Sequence, residues 1–224
     1  MRIGSIIVAS QEQRCLPCPF VRDANRSCAV RAERYAVSME ASTSPAGSRI
    51  LGLDPGLQTT GYAVLETRLG SPRVCEAGVI RGADGREKTD LAQRLRHLYD
   101  GIVEVLVQFQ PRVVVVEQLF AHYQHPRTAI LMAHARGVLF LAAGQRGLPL
   151  VSYNATRIKK TVTGNGRASK EQVQRTIQRE LGLAKLPEPS DVADALAAAL
   201  CHYYVVKLPA DGGDKPRRSP GEQT

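Results

Sequence analysis

Residues 49–67 read RILGLDPGLQTTGYAVLET, and their reading decides the fold. Arg49–Leu53 is a short apolar run that stops at Asp54-Pro55-Gly56, a combination that turns the chain. Gly61–Thr67 and Arg73–Ile80 are two further runs with strand character, so the first three strands form an antiparallel meander. The period then changes. Between Thr89 and Phe109, Leu91, Leu95, Leu98, Ile102 and Val105 share one helical face, and Pro111 ends the segment. Arg112–Val116 is almost wholly β-branched, as suits a strand in the buried middle of a sheet, and it stops at Glu117. Thr128–Gln145 reads as a long apolar helix and Pro149–Tyr153 as a fifth strand, with helices over 155–161, 169–181 and 190–206. The pattern predicts an α/β domain with a mixed five-stranded sheet flanked by helices.

The domain is expected to span 49–207. Residues 1–48 show neither strand nor helical period, and Ser42–Ser48 is linker-like, so this stretch reads as a disordered extension; Met39 sits just upstream of the first strand, so 1–38 has the alternative reading of residues upstream of the true start. Residues 208–224 combine Gly, Pro and charge and read as a disordered tail. The net charge is +9, and 49–207 holds 21 basic against 14 acidic residues, so the excess belongs to the folded part. A basic folded domain favours a polyanionic partner, because phosphate neutralisation releases counterions. No apolar run approaches the roughly 18 residues of a membrane span, and Gln11–Arg14 interrupts any secretory signal. Five cysteines make no paired framework, so the expected location is the reducing cytoplasm. Cys15, Cys18 and Cys28 lack a fourth zinc ligand nearby and are given no role.

Four acidic residues stand at element ends. Asp54 follows the first strand, Glu117 follows the fourth, and Asp191 and Asp194 open the last helix. If the first and fourth strands are neighbours, Asp54 and Glu117 meet; positions i and i+3 put Asp191 and Asp194 on one helical face. Each has a plain structural explanation too: a turn, a solvated strand end, and a dipole pair behind a Ser190 cap. Converging carboxylates repel one another unless a cation intervenes or their pKa values rise. Mg²⁺ suits such oxygen ligands, with Mn²⁺ the other candidate. Two ions about 3.5–4 Å apart would suit hydrolysis of a phosphodiester.

Arg157–Arg179 adds seven basic residues to one acid, around the loop Thr163–Ser169. Ser169 is a good helix cap, and amides at that helix start beside Lys170 would hold an anion; a solvated helical face has the same composition. Phe120, three residues after Glu117, either stacks on an unpaired base or packs down.

The segments ILGLDPGLQTTGYAVLE (50–66), VVVVEQLF (113–120), ARGVLFLAA (135–143), KKTVTGNGRASKEQVQ (159–174) and PSDVADALAAALCH (189–202) resemble, in order and spacing, the RuvC Holliday-junction resolvases. The resemblance implies an RNase H-like fold and a homodimer that nicks two strands of like polarity in a four-way junction, leaving 5′-phosphate and 3′-hydroxyl ends. It implies Asp54, Glu117, Asp191 and Asp194 as catalytic, metal-holding residues. It places Phe120 at the bases near the crossover and Lys159, Lys170 and Arg167 on DNA. It makes 128–145 the dimer helix and the RuvA–RuvB branch-migration machine a partner. Residues 1–48 have no counterpart in the family pattern.

Three other readings compete. An actin-like or sugar-kinase ATPase also uses a strand, D-x-G and a hairpin, but needs two such subdomains, and this chain has one. A non-catalytic DNA-binding module would tend to lose carboxylates. Another RNase H-like nuclease, such as an RNA–DNA hybrid cutter, would keep the same acidic site.

Overall fold

The computed structural model describes residues 4–5, 47–68, 71–83, 89–118 and 126–207. In chain order these form β1 (Gly4–Ser5), β2 (Arg49–Asp54), β3 (Thr59–Glu66), β4 (Arg73–Arg81), α1 (Leu91–Phe109), β5 (Val113–Glu117), α2 (Pro126–Gly144), β6 (Leu150–Tyr153), α3 (Ala155–Thr163), α4 (Lys170–Glu180) and α5 (Ser190–Lys207). Among the described residues the strands make one sheet in the order β1-β4-β3-β2-β5-β6. The expected meander is β4-β3-β2, paired antiparallel. β5 then adds parallel to β2, and β6 parallel to β5. The five expected strands are all present. Gly4–Ser5 adds a two-residue edge pairing with β4, too short to leave any period in the sequence.

The boundaries moved for local reasons. Helix α1 begins at Leu91 because Asp90 is its cap: the Gln93 N–H donates to Asp90 Oδ1 at 2.7 Å, and Gln93 Oε1 accepts from the Asp90 N–H at 3.1 Å. Its C-terminal cap, Gln110, takes a left-handed conformation with φ 46° just before Pro111. Ser190 is the first residue of α5 rather than a cap ahead of it. Asp54 and Glu117, expected just past their strands, are the last residues of β2 and β5. That shift matters, because the pleat now dictates which way each side chain points.

The pleat sorts the sheet into two faces. Ile50, Ala63, Leu65, Val113 and Val115 lie in one apolar cluster with Val173 and Ile177 of α4 and almost the whole of α5. Leu51, Leu53, Val64, Val114 and Val116 lie in another with Leu98, Ile102 and Val105 of α1 and Ala135 and Leu139 of α2. Counting by twos, Asp54 and Glu117 belong to the α5 face. No described helix is long and apolar enough to cross a membrane.

Candidate metal centre

Leu53 of β2 pairs with Val116 of β5 in the parallel ladder, so Asp54 and Glu117, one residue on, sit side by side at the carboxyl ends of adjacent strands. Crevices at such strand ends are where open α/β sheets bind ligands. The third and fourth carboxylates arrive from above. Helix α5 lies directly on β2 and β3, and two glycines let it approach. A Cβ on Gly52 would run into the Ala195 carbonyl oxygen, and one on Gly61 into that of Asp191. Gly61 is the residue paired with Asp54 across the β2–β3 ladder. The position that must stay bare for α5 to dock is therefore next to the carboxylate that its first turn faces.

The turn after Asp54 is tied down independently. The buried Thr60 hydroxyl donates to the Gly56 carbonyl at 2.8 Å and accepts from the Gly56 N–H at 3.3 Å. The Gly82 N–H donates to the Gln58 carbonyl at 3.0 Å.

Electrostatics reports how close the four acids are. Burial, then Asp194, Asp191 and Glu117 in that order, push the Asp54 carboxyl up to about 7, against the pull of Lys170. Burial and Asp194 raise Glu117, opposed by Lys159, Lys170 and Arg136. Burial raises Asp194 as well, with Asp191 adding to it and Lys170 and Lys159 opposing. Each of these neighbours is a charge near enough to act on its partner, so the fold brings the four predicted carboxylates into one neighbourhood. They are not drawn into a closed cage. Among the described residues no three His, Cys, Asp or Glu side chains already surround a single point. Lys170 offsets part of the negative charge: its Nζ stands 3.7 Å from Asp194 Oδ2, with the lysine side chain 72% exposed and the aspartate 32%. The donor set is hard, anionic and partly buried, which fits a divalent cation that prefers oxygen.

The predicted basic residues divide. Lys159 on α3 and Lys170 at the start of α4 both act on the carboxylates. Ser169 caps α4 as expected, accepting from the Gln172 N–H at 3.2 Å. Arg167 is exposed on the loop between α3 and α4, its N–H on Asn165 Oδ1 at 2.9 Å. Phe120, like Cys15, Cys18 and Cys28, lies outside the described residues. Sequence reading missed Arg136, which donates from Nη1 to the Glu117 carbonyl; its only signal was a fixed charge inside the apolar stretch 135–143. It also gave no role to Gly52 and Gly61, since a bare position needed by a helix from 130 residues away has no local signature.

Comparison with known proteins shows the family of the chain. The model of the family "Crossover junction endodeoxyribonuclease RuvC" matches residues 50–202. The chain belongs to the RuvC family. It is 50% identical over 166 residues to the RuvC crossover junction endodeoxyribonuclease of Rhodopirellula baltica, covering 73% of this chain and 90% of that one. The RuvC of Moorella thermoacetica is 45% identical over 153 residues, covering 68% and 89%. Among solved structures, T. thermophilus RuvC in complex with a Holliday junction substrate superposes with a TM-score of 0.64 at 31% identity, covering 70% of this chain and 93% of that chain. The RuvC match makes this chain an endodeoxyribonuclease with an RNase H-like sheet, and RuvC nucleases depend on divalent metal. It also sets aside the ATPase reading and the non-catalytic one.

Proposed function

We propose that this chain resolves four-way DNA junctions, with Asp54, Glu117, Asp191 and Asp194 as its catalytic carboxylates and Mg²⁺ as the natural ion, two per site. The carrying observation is the side-by-side placement of Asp54 and Glu117 at paired strand ends beneath the first turn of α5. When bound, the ions supply Lewis-acid stabilisation of the phosphate and an activated water. The chain's own contribution is to hold hard oxygen ligands at one point, against their repulsion, on rigid elements. Lys159 and Lys170 stand beside the carboxylates, where a scissile phosphate would need positive charge. Lys170, now near Asp194, would transfer to phosphate once the ions neutralise the acids. Arg167 extends the basic surface along the exposed loop, and Phe120 is the candidate for base contact at the crossover.

Helix α2 supports the dimer. Ile130 is 57% exposed and Leu141 55%, and Gly137 lies between them on the same side with nothing within 4 Å of where a Cβ would be. An exposed strip of Ile130, Gly137 and Leu141, with His134 beside it, suits close packing against a second copy. Two sites in a symmetric dimer would nick two strands of like polarity and leave 5′-phosphate and 3′-hydroxyl ends. Work beside the RuvA–RuvB machine, a cytoplasmic location, and the division into 1–48, 49–207 and 208–224 complete the proposal.

The test is a side-by-side digest of a synthetic junction, a linear duplex and an RNA–DNA hybrid in Mg²⁺ and in Mn²⁺. Paired symmetric nicks in the junction alone are expected, with ends that ligate directly. Preferential cutting of the hybrid would point instead to a different RNase H-like activity.

A further inference from the structure

Helix α2 carries one permanently charged side chain in its apolar stretch 129–143, and that residue, Arg136, does not point to open solvent. Its Nη1 donates to the backbone carbonyl of Glu117, and its Nη2 donates to Ser152 Oγ at 2.9 Å. Its guanidinium carbon lies 4.6 Å from the ring centroid of Phe140, one turn further along the same helix. A single rigid plane therefore joins three elements: α2, the end of β5 and the end of β6. The ladder does not need it, for the Gln118 N–H already closes on the Tyr153 carbonyl at 2.7 Å. What the guanidinium adds is a fixed position for the Glu117 peptide, from which the carboxylate is aimed. The fork geometry suits this, because two donors in one plane set orientation as well as distance, and stacking on Phe140 limits the plane's rotation.

We propose that Arg136 is a positioning residue: it locks the backbone at Glu117 so that the carboxylate stays directed at Asp54 and Asp194, and it ties that carboxylate to α2, the helix assigned above to the proposed dimer face. The inference rests on the proposed reading of Glu117 as a metal ligand. Partners that orient a metal ligand without touching the ion typically change metal affinity or activity by about 10- to 100-fold when removed. Helix α2 thereby connects two functions, since a shift of α2 on dimerisation would be felt at Glu117 through one side chain.

The experiment compares full-length wild type with Arg136→Met, Arg136→Lys and Ser152→Ala. Mn²⁺ binding is read directly from the electron paramagnetic resonance signal of free Mn²⁺. Junction affinity is measured in EDTA, and thermal melting is recorded for each protein. Arg136→Met is expected to weaken Mn²⁺ binding by about 10- to 100-fold while junction affinity in EDTA stays at the wild-type value. Arg136→Lys, with a point donor that satisfies only one of the two acceptors, should fall between, and Ser152→Ala should shift binding slightly in the same direction. Wild-type Mn²⁺ binding by Arg136→Met would overturn the proposal. So would a parallel loss of Mn²⁺ binding, junction binding and melting temperature, which is the mark of a scaffold residue. If Arg136→Met does not fold, Arg136→Lys decides: unchanged Mn²⁺ binding in a protein that melts like wild type overturns the proposal. Failure of wild type itself to bind Mn²⁺ would instead refute the metal reading beneath it.

Discussion

Helices α2 and α5 are nearly the same length and both apolar around most of their circumference, yet the fold treats them oppositely. Helix α5 is enclosed: Val192, Ala193 and the run Ala195–Tyr203 are buried between the sheet and its covering helices. Helix α2 buries Ala135, Leu139, Ala142 and Ala143 and leaves Ile130, Gly137 and Leu141 uncovered. The difference lies in side-chain size. Ala195 and Ala199 of α5 meet Gly52 on β2, and the Asp191 backbone meets Gly61 on β3, so the helix sinks to backbone contact, and that depth is what carries Asp191 and Asp194 to the strand ends. Among the described residues no glycine faces helix α2 in this way. An apolar helix with a bare side is incomplete, whereas one with none is a lever for the site at its end.

The largest effect that would sharpen this contrast comes from the acids that α5 delivers and those it meets. Asp54→Asn or Glu117→Gln should lower junction cleavage by at least about three orders of magnitude, roughly 4 kcal/mol of activation free energy, while junction binding in EDTA persists. Gel assays of cutting and binding on the same preparations check this; equal loss of both in a folded variant would break the division between acidic site and basic surface.

Next come the glycines. Gly61→Val forces a side chain into the Asp191 backbone and should cost about 1–3 kcal/mol in denaturant unfolding, together with loss of cleavage. Gly137→Ala on α2 meets open space and should leave subunit stability equal or higher by about 0.5–1 kcal/mol. If both substitutions destabilised the fold alike, the contrast between the helices would fail. Leu141→Glu should then separate copies in sedimentation at a change of about 0.5 kcal/mol or less in subunit stability, as for other surface substitutions.

A smaller effect follows from pH. Burial and the neighbouring carboxylates push the folded-state Asp54 carboxyl up to about 7 from its ordinary 3.8. Between those values the folded state holds the extra proton, so stability contributed by this group is full below about 4 and is lost as pH rises towards 7. Metal-free melting temperature should therefore decline across that window, and Asp54→Asn should flatten the decline. Because metal ligands must shed their protons, affinity for Mg²⁺ should rise over the same range.

Much of this was legible in the residues. Apolar runs that end in Asp54 and Glu117 named the central strands and half of the candidate site, and the i, i+3 pair Asp191 and Asp194 named the other proposed half. Ser169 was recognisable as a cap because capping is local. What escaped was non-local. Gly52 and Gly61 matter through a helix far downstream in the chain, and Arg136 acts on a carbonyl in a strand that only the fold brings near. The apolar periodicity of α2 and α5 could not tell enclosure from a bare side, since both read as hydrophobic all round.

The most direct measurement is anomalous scattering from crystals of this protein soaked in Mn²⁺. Density is expected among Asp54, Glu117, Asp191 and Asp194, in direct contact with carboxylate oxygens of the two strand-end residues and α5, and absent in Asp54→Asn. Ordered Mn²⁺ found only elsewhere, in crystals of protein that still cuts junctions, would contradict the assignment.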